Sequence, residues 1–165
     1  MMESLVIGEN RFIEKVFAPE TIDQIRRVSR LQEPFLDASN CESRPDALAD
    51  VEIIFGTWGM PVLNRKFLNL APKLRAVFYA AGTVKSFVTD DTWKRGVTIC
   101  SAWRANALPV AEFTLGAILL SMKNVWAYHR NLKVSRNWAE HIPTRGGYHG
   151  TIGLISLGSV GMRVA

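Results

Sequence analysis

Short apolar runs alternate with amphipathic stretches along most of the chain. Leu5-Val6-Ile7 reads as a strand closed by Gly8, and from Thr21 to Leu31 the residues Ile22, Ile25 and Val28 fall at helical spacing, with Thr21 as a natural cap. Val51-Glu52-Ile53-Ile54-Phe55 predicts a second strand, ended by Gly56. Arg65 to Leu70 predicts a helix that stops at Ala71-Pro72. Leu74 to Tyr79 predicts a third strand that runs straight into Ala80-Ala81-Gly82. Asp91 to Arg95 predicts a short helix stopped by Gly96, and Val97 to Cys100 a fourth strand. Strands separated by helical segments imply βαβ units, since parallel neighbours need a crossover. The expected fold is therefore α/β, with a mostly parallel sheet covered on both faces.

The pattern changes after residue 106. Ala107 to Met122 is the most apolar stretch, and it carries Glu112. It is shorter than the ~20 residues that span a bilayer and reads as a buried helix. The helix is expected from about Ala107 to Tyr128, capped by Asn106, with Pro109 tolerated in the first turn. Asn131 to Gly150, with Pro143, Gly146 and Gly147 among polar and aromatic residues, reads as a connection or an arm around a partner. Thr151 to Gly161 then reads as a strand turning into a helix, and the chain stops at Ala165. The expected division is 1–128, a domain with its long helix; 129–150, a connector; and 151–165, the incomplete opening of a second domain.

Composition narrows the classes. The chain has 165 residues, 48% hydrophobic and 21% charged, which fits a soluble globular protein and excludes disordered and fibrous ones. Its net charge of +5 comes from basic residues in ones and twos, so nucleic acid is not an expected partner, nor is a membrane. No basic region followed by a long apolar run opens the chain, so no secretory signal is expected. Cys41 and Cys100 are its two cysteines, which fits a reducing compartment, the cytoplasm, and supports neither a disulfide scaffold nor a metal site.

Three segments could carry chemistry. In Thr151 to Gly161, Gly158 and Gly161 fit the second and third positions of a G-x-G-x-x-G turn, whose helix N-terminus holds a pyrophosphate. Ser156 stands at the first position, where glycine accepts a positive φ more cheaply. Alone, the segment fits an ordinary strand–turn–helix equally well. Small residues in Tyr79-Ala80-Ala81-Gly82-Thr83 leave backbone N–H groups bare at the carboxyl end of a strand, where open α/β sheets bind ligands, although a plain βα turn looks the same. Asn106 and Glu112 read as a cap and an acid of the early helical turns. Trp58 and Trp103 follow strands and fit either a pocket wall or the core. His129, His141 and His149 have no evident Asp or Ser partner and receive no catalytic role.

In this order, the segments resemble the D-isomer-specific 2-hydroxyacid dehydrogenases. The resemblance rests on Pro72 to Arg75 leading to Ala81-Gly82-Thr83, then Arg95-Gly96-Val97, Asn106 with Val110-Ala111-Glu112, and Thr151 to Gly161. It implies a flavodoxin-like, parallel-sheet substrate domain followed by the first strand and turn of a Rossmann domain. It implies a hydride transfer between NAD or NADP and a small 2-hydroxy or 2-keto acid, in a homodimer. Ala81 and Gly82 would hold the substrate carboxylate, with Asn106 on the substrate side. Val110 would lie near the nicotinamide, and Gly158, Ser159, Val160 and Gly161 would receive the pyrophosphate. The family's catalytic Arg, Glu and His belong to a later part of the full-length chain, so the resemblance gives these 165 residues no catalytic group and implies a truncated, inactive piece. Ser156, together with Val84-Lys85 where the family often has an Asn/Asp-containing stretch, keeps open a non-catalytic, corepressor-like binding protein on the same scaffold. A flavodoxin or a receiver domain fits less well. Gly8-Glu9-Asn10-Arg11 is no Ser/Thr-rich phosphate loop, and no Asp follows the third strand.

Overall fold

The computed structural model describes residues 1–37, 39–137, 141–144 and 146–165. They form two compact units, Met1–Trp103 and Arg104–Ala165.

The first unit is built on five parallel strands, β1 Glu3–Ile7, β2 Arg30–Leu31, β3 Ile53–Gly56, β4 Ala76–Tyr79 and β5 Thr98–Ser101. Their order is β2-β1-β3-β4-β5, that of a flavodoxin-like sheet, as expected. Successive side chains point to opposite faces, so the sheet divides the apolar residues into two groups. Leu5, Ile7, Ile54, Val77 and Tyr79 join Phe67, Leu68 and Phe87 on one side. Val6 joins Ile13, Phe17, Ile22 and Ile25 on the other, under α1 (Asn10–Val16) and α2 (Pro19–Val28).

The remaining helices of this unit, α3 (Pro45–Leu48), α4 (Arg65–Leu70) and α5 (Asp90–Lys94), are short. α4 has the expected bounds, and the Asn64 side chain accepts the Phe67 N–H at its start. α5 is fixed by hydroxyls. Thr89 and Thr92 both donate to the Leu63 carbonyl, at 2.7 and 2.8 Å, and the Thr92 hydroxyl accepts the Thr89 N–H. α2 differs from expectation. It starts at Pro19, whose fixed φ suits the first helical position, so Thr21 lies inside it and caps nothing. It ends at Val28, because Leu31 is drawn into β2 beside Ser4.

The second unit opens with α6 (Trp103–Met122), followed by α7 (Val125–Ser135) and α8 (Gly161–Val164). The single helix expected from Ala107 to Tyr128 is thus two, broken where Asn124 takes the left-handed conformation at φ 55°. Asparagine tolerates that region better than most residues, and here its Nδ2 donates to the distant Pro143 carbonyl at 3.2 Å. Asn106 is not a cap but a residue within α6, and Pro109 is interior, leaving the Ala105 carbonyl without its usual i+4 donor. Nor is α6 a buried helix: Ala107 and Ala111 are its buried residues, and Phe113 is 77% exposed. With 20 residues it is long and apolar enough to cross a membrane by length and composition.

Residues 141–144 lie along the junction of α6 and α7. The Tyr128 hydroxyl accepts the Ile142 N–H at 2.9 Å, and the Thr144 hydroxyl donates to the Met122 carbonyl at 2.6 Å. The remainder of the expected connector includes residues 138–140 and 145, which lie outside the described residues. Thr151–Leu157, expected as a strand, forms none, since a strand needs a ladder partner and no described segment supplies one. Ile155 on this segment is fully exposed.

Candidate functional site

The sheet brings three strand ends to one level, where Ile7 pairs with Gly56 and Gly56 with Tyr79. Three bonds carry the ladder one residue further: Thr57 N–H to the Ile7 carbonyl, Ala80 N–H to Gly56, and Ala102 N–H to Tyr79. Beyond them, the N–H groups of Ala81 and Gly82 have no acceptor among the described residues. Two successive free donors at the carboxyl edge of a parallel sheet can bind a carboxylate-sized anion. Ala81 is buried and Gly82 half-buried. The turn rests on a fixed base, with Tyr79 against Phe87 at 4.8 Å and the Phe87 carbonyl accepting the Leu63 N–H. Tyr79 is packed in the core, and that burial pushes its phenol up from its ordinary pKa.

The neighbouring loops interlock at the same edge. Glu9 N–H donates to the Trp58 carbonyl at 2.8 Å. Gly59, at φ 85°, has no room for a side chain, because a Cβ would stand 2.9 Å from the Glu9 nitrogen. Trp58 is thereby held at the rim, 45% exposed and 5.3 Å from the Phe12 ring, with the Arg11 guanidinium 4.6 Å above Phe12. Asp37 closes the rim behind them. Its carboxylate accepts from Asn10 N–H, the first turn of α1, and from the N–H and hydroxyl of Ser39. Those bonds hold its pKa below the ordinary carboxylate range, the Ser39 hydroxyl first.

Sequence reasoning missed Thr57. Its hydroxyl is fully buried behind the rim and has no hydrogen-bond partner among the described residues. A hydroxyl directly after a strand end is the signal that could have found it. Trp58 and Trp103, which by sequence fit either a pocket wall or the core, are both exposed, at 45% and 48%.

The other expected site residues belong to the second unit. Asn106 and Val110 lie one turn apart on α6, on the same face, and both are exposed. Gly158 to Gly161 form the turn into α8, where Met162 N–H donates to the Gly158 carbonyl and Val164 N–H to Val160. The N–H groups of Gly158, Ser159, Val160 and Gly161 have no acceptor among the described residues. Ser156 takes φ 76°, the conformation that the first glycine of such a turn normally supplies. A Cβ on Gly161 would collide with the Ser156 carbonyl oxygen. The segment thus has the backbone of a glycine turn although its first residue is serine. No group of three His, Cys, Asp or Glu residues able to hold a metal ion occurs among the described residues.

Comparison with known proteins places this fold. The chain resembles a D-lactate dehydrogenase from Aquifex aeolicus, solved with NAD and lactic acid, at TM-score 0.72 and 21% identity over 98% of this chain and 46% of that one. It resembles a phosphoglycerate oxidoreductase from Rhizobium etli at TM-score 0.68 and 18% identity, over 99% of this chain and 51% of that one. A third match is an NADPH-dependent glyoxylate/hydroxypyruvate reductase from Sinorhizobium meliloti, solved with NADP and malonate. It gives TM-score 0.64 and 18% identity, over 99% of this chain and 48% of that one. The chain has the fold of these dehydrogenases and spans about half their length. No protein-family model matches it, and no curated protein does.

Proposed function

We propose that the chain is the substrate-side part of an NAD- or NADP-dependent oxidoreductase acting on a small 2-hydroxy or 2-keto acid. The observation that carries this reading is the pair of free N–H groups at Ala81 and Gly82, at the sheet edge of a fold that otherwise matches dehydrogenases of such acids. In this reading residues 1–128 are the substrate side with its long helix, 129–150 a connecting arm, and 151–165 the opening of the cofactor domain. The Ala81 and Gly82 N–H groups bind and orient the substrate carboxylate. Asn106 stands on the substrate side, and Val110 beside the nicotinamide.

The turn at 156–161 fits a dinucleotide. Ser156 adopts the required left-handed backbone, and the N–H groups of Gly158, Ser159, Val160 and Gly161 are free to receive a pyrophosphate. The nicotinamide, when bound, supplies or accepts the hydride. The proton-transferring histidine and the carboxylate-orienting arginine belong to chain beyond these 165 residues, so the piece alone is inactive. The exposed apolar residues of α6, Phe113 and Leu119 among them, support a homodimer, and two cysteines without a disulfide among the described residues support a cytoplasmic protein. Neither nucleic acid nor a membrane enters this reading. The corepressor-like alternative rests on Ser156 and on Val84-Lys85; the Ser156 backbone takes the glycine conformation, and the Val84-Lys85 departure stands.

The test is kinetic. The full-length protein, assayed with NADH and with NADPH against glyoxylate, pyruvate and hydroxypyruvate, is expected to reduce at least one of them. Gly82→Pro removes one donor and should lower kcat/KM by about a hundredfold, in line with the loss of a group that orients a substrate. Absence of turnover with every 2-keto acid and both cofactors would sink the proposal.

A further inference from the structure

A large groove of the first unit lies between α1, α2 and the turn at Glu33-Pro34. It measures about 670 Å³, within the ~300–1,000 Å³ typical of small-ligand sites. Its floor is apolar: Phe17 and Ile22, 7% and 8% exposed, with Pro19, Pro34 and Phe35 beside them. Its rim carries Glu14, Asp23, Glu33 and Arg26.

The charges on that rim are unbalanced. Arg26 Nη1 donates to Asp23 at 3.0 Å and Nη2 to Glu33 at 2.5 Å, so the guanidinium is already held by two carboxylates. Glu14 is exposed and has no hydrogen bond or ion pair among the described residues. One cation therefore faces three carboxylates, on a chain whose net charge is +5. Organic acids, including the 2-keto acids of the proposed reaction, are repelled here. A hydrated metal ion gains nothing from a floor of two phenylalanines, an isoleucine and two prolines. An apolar body bearing one positive charge satisfies both parts: the body covers Phe17, Ile22 and Phe35, and the charge stays at the wet rim beside Glu14.

We propose that this groove binds a small organic ammonium ion, a primary amine on an aromatic or branched aliphatic body. The groove shares Phe17 with the pocket lined by Tyr79, Ala80 and Ala102 at the sheet edge, but its charged rim is its own, and the proposal does not depend on the oxidoreductase reading.

The probe is phenethylammonium, titrated at low ionic strength into the isotopically labelled protein and followed by amide NMR shifts. Saturable shifts are expected at Phe17, Ile22 and Phe35. Phenylacetate, with the same ring and the opposite charge, should bind at least tenfold more weakly, and so should methylammonium, which lacks the body. Glu14→Gln should weaken phenethylammonium binding about two- to fivefold, the worth of one exposed ion pair. Since the Glu14 side chain makes no bond among the described residues, an unchanged spectrum of the free variant verifies that it is folded. Phenylacetate binding equal to that of phenethylammonium would overturn the proposal. So would shifts confined to other residues, no saturation, or a Glu14→Gln variant that binds as the parent does.

Discussion

The carbonyl oxygen of Ser156 occupies the place where a side chain on residue 161 would begin. Ser156 is turned into the left-handed region at φ 76°, its carbonyl points into the first turn of α8, and only a glycine at 161 leaves it room. The two residues specify the turn jointly. Gly161→Ala should force the turn open and weaken NAD(H) binding by the full-length protein about tenfold or more, near 1.4 kcal/mol. Ser156→Gly should keep or tighten that binding, because an L-residue in this region costs about 1–2 kcal/mol. Fluorescence titration with NADH checks both, and equal affinities for the parent and Gly161→Ala would show that the turn carries no cofactor.

Pro109 sits inside α6, where it has no N–H for the Ala105 carbonyl and its ring crowds that turn. Pro109→Ala should restore the bond and stabilise the chain by about 1–3 kcal/mol. A higher denaturation midpoint and a stronger helical circular dichroism signal are the expected results. An unchanged midpoint would mean that neighbouring contacts fix the helix whichever residue stands there.

The Thr57 hydroxyl is buried and has no hydrogen-bond partner among the described residues. Valine has nearly the same shape and no polar group to desolvate. Thr57→Val should therefore raise stability by about 1 kcal/mol in urea unfolding. A loss of stability instead would reveal a partner for the hydroxyl in the folded protein.

Asp37 links the rim to acid stability. Its carboxylate is held in the charged form by Ser39 and by the first N–H of α1, so its folded pKa lies below its unfolded one. The contribution is present above the unfolded pKa, about 4, and is lost as pH falls through the folded value. Stability measured from pH 6 down to pH 2 should drop in that lower range, and Asp37→Asn should flatten the drop while lowering stability at pH 6. Parallel curves for the two proteins would refute the assignment.

Much of the sheet was legible in the chain itself. Val51–Phe55, Leu74–Tyr79 and Val97–Cys100 are apolar runs, and each lies within two residues of the strand it forms, although the expected cover on both faces is missing at Phe78 and Cys100, which are exposed. Glycines and prolines placed the ends of the short helices, and Arg65–Leu70 matches residue for residue. These are local matters of propensity and periodicity. What tertiary structure decided was of another kind. β2 has two residues and no period of its own; it exists because Arg30 and Leu31 find Glu3 and Ser4. α1 left no mark strong enough to predict, and it is held by Asp37, which arrives from beyond β2. The apolar pattern of α6 called for burial, but a pattern cannot name what does the burying, and these residues bury little of it. Thr151–Leu157 has the composition of a strand and forms none, because pairing belongs to the neighbour as much as to the segment. The free N–H pair at Ala81 and Gly82 lies between these cases. Sequence placed it after a strand, and only the assembled sheet put it at a shared edge with Thr57, Trp58 and Glu9.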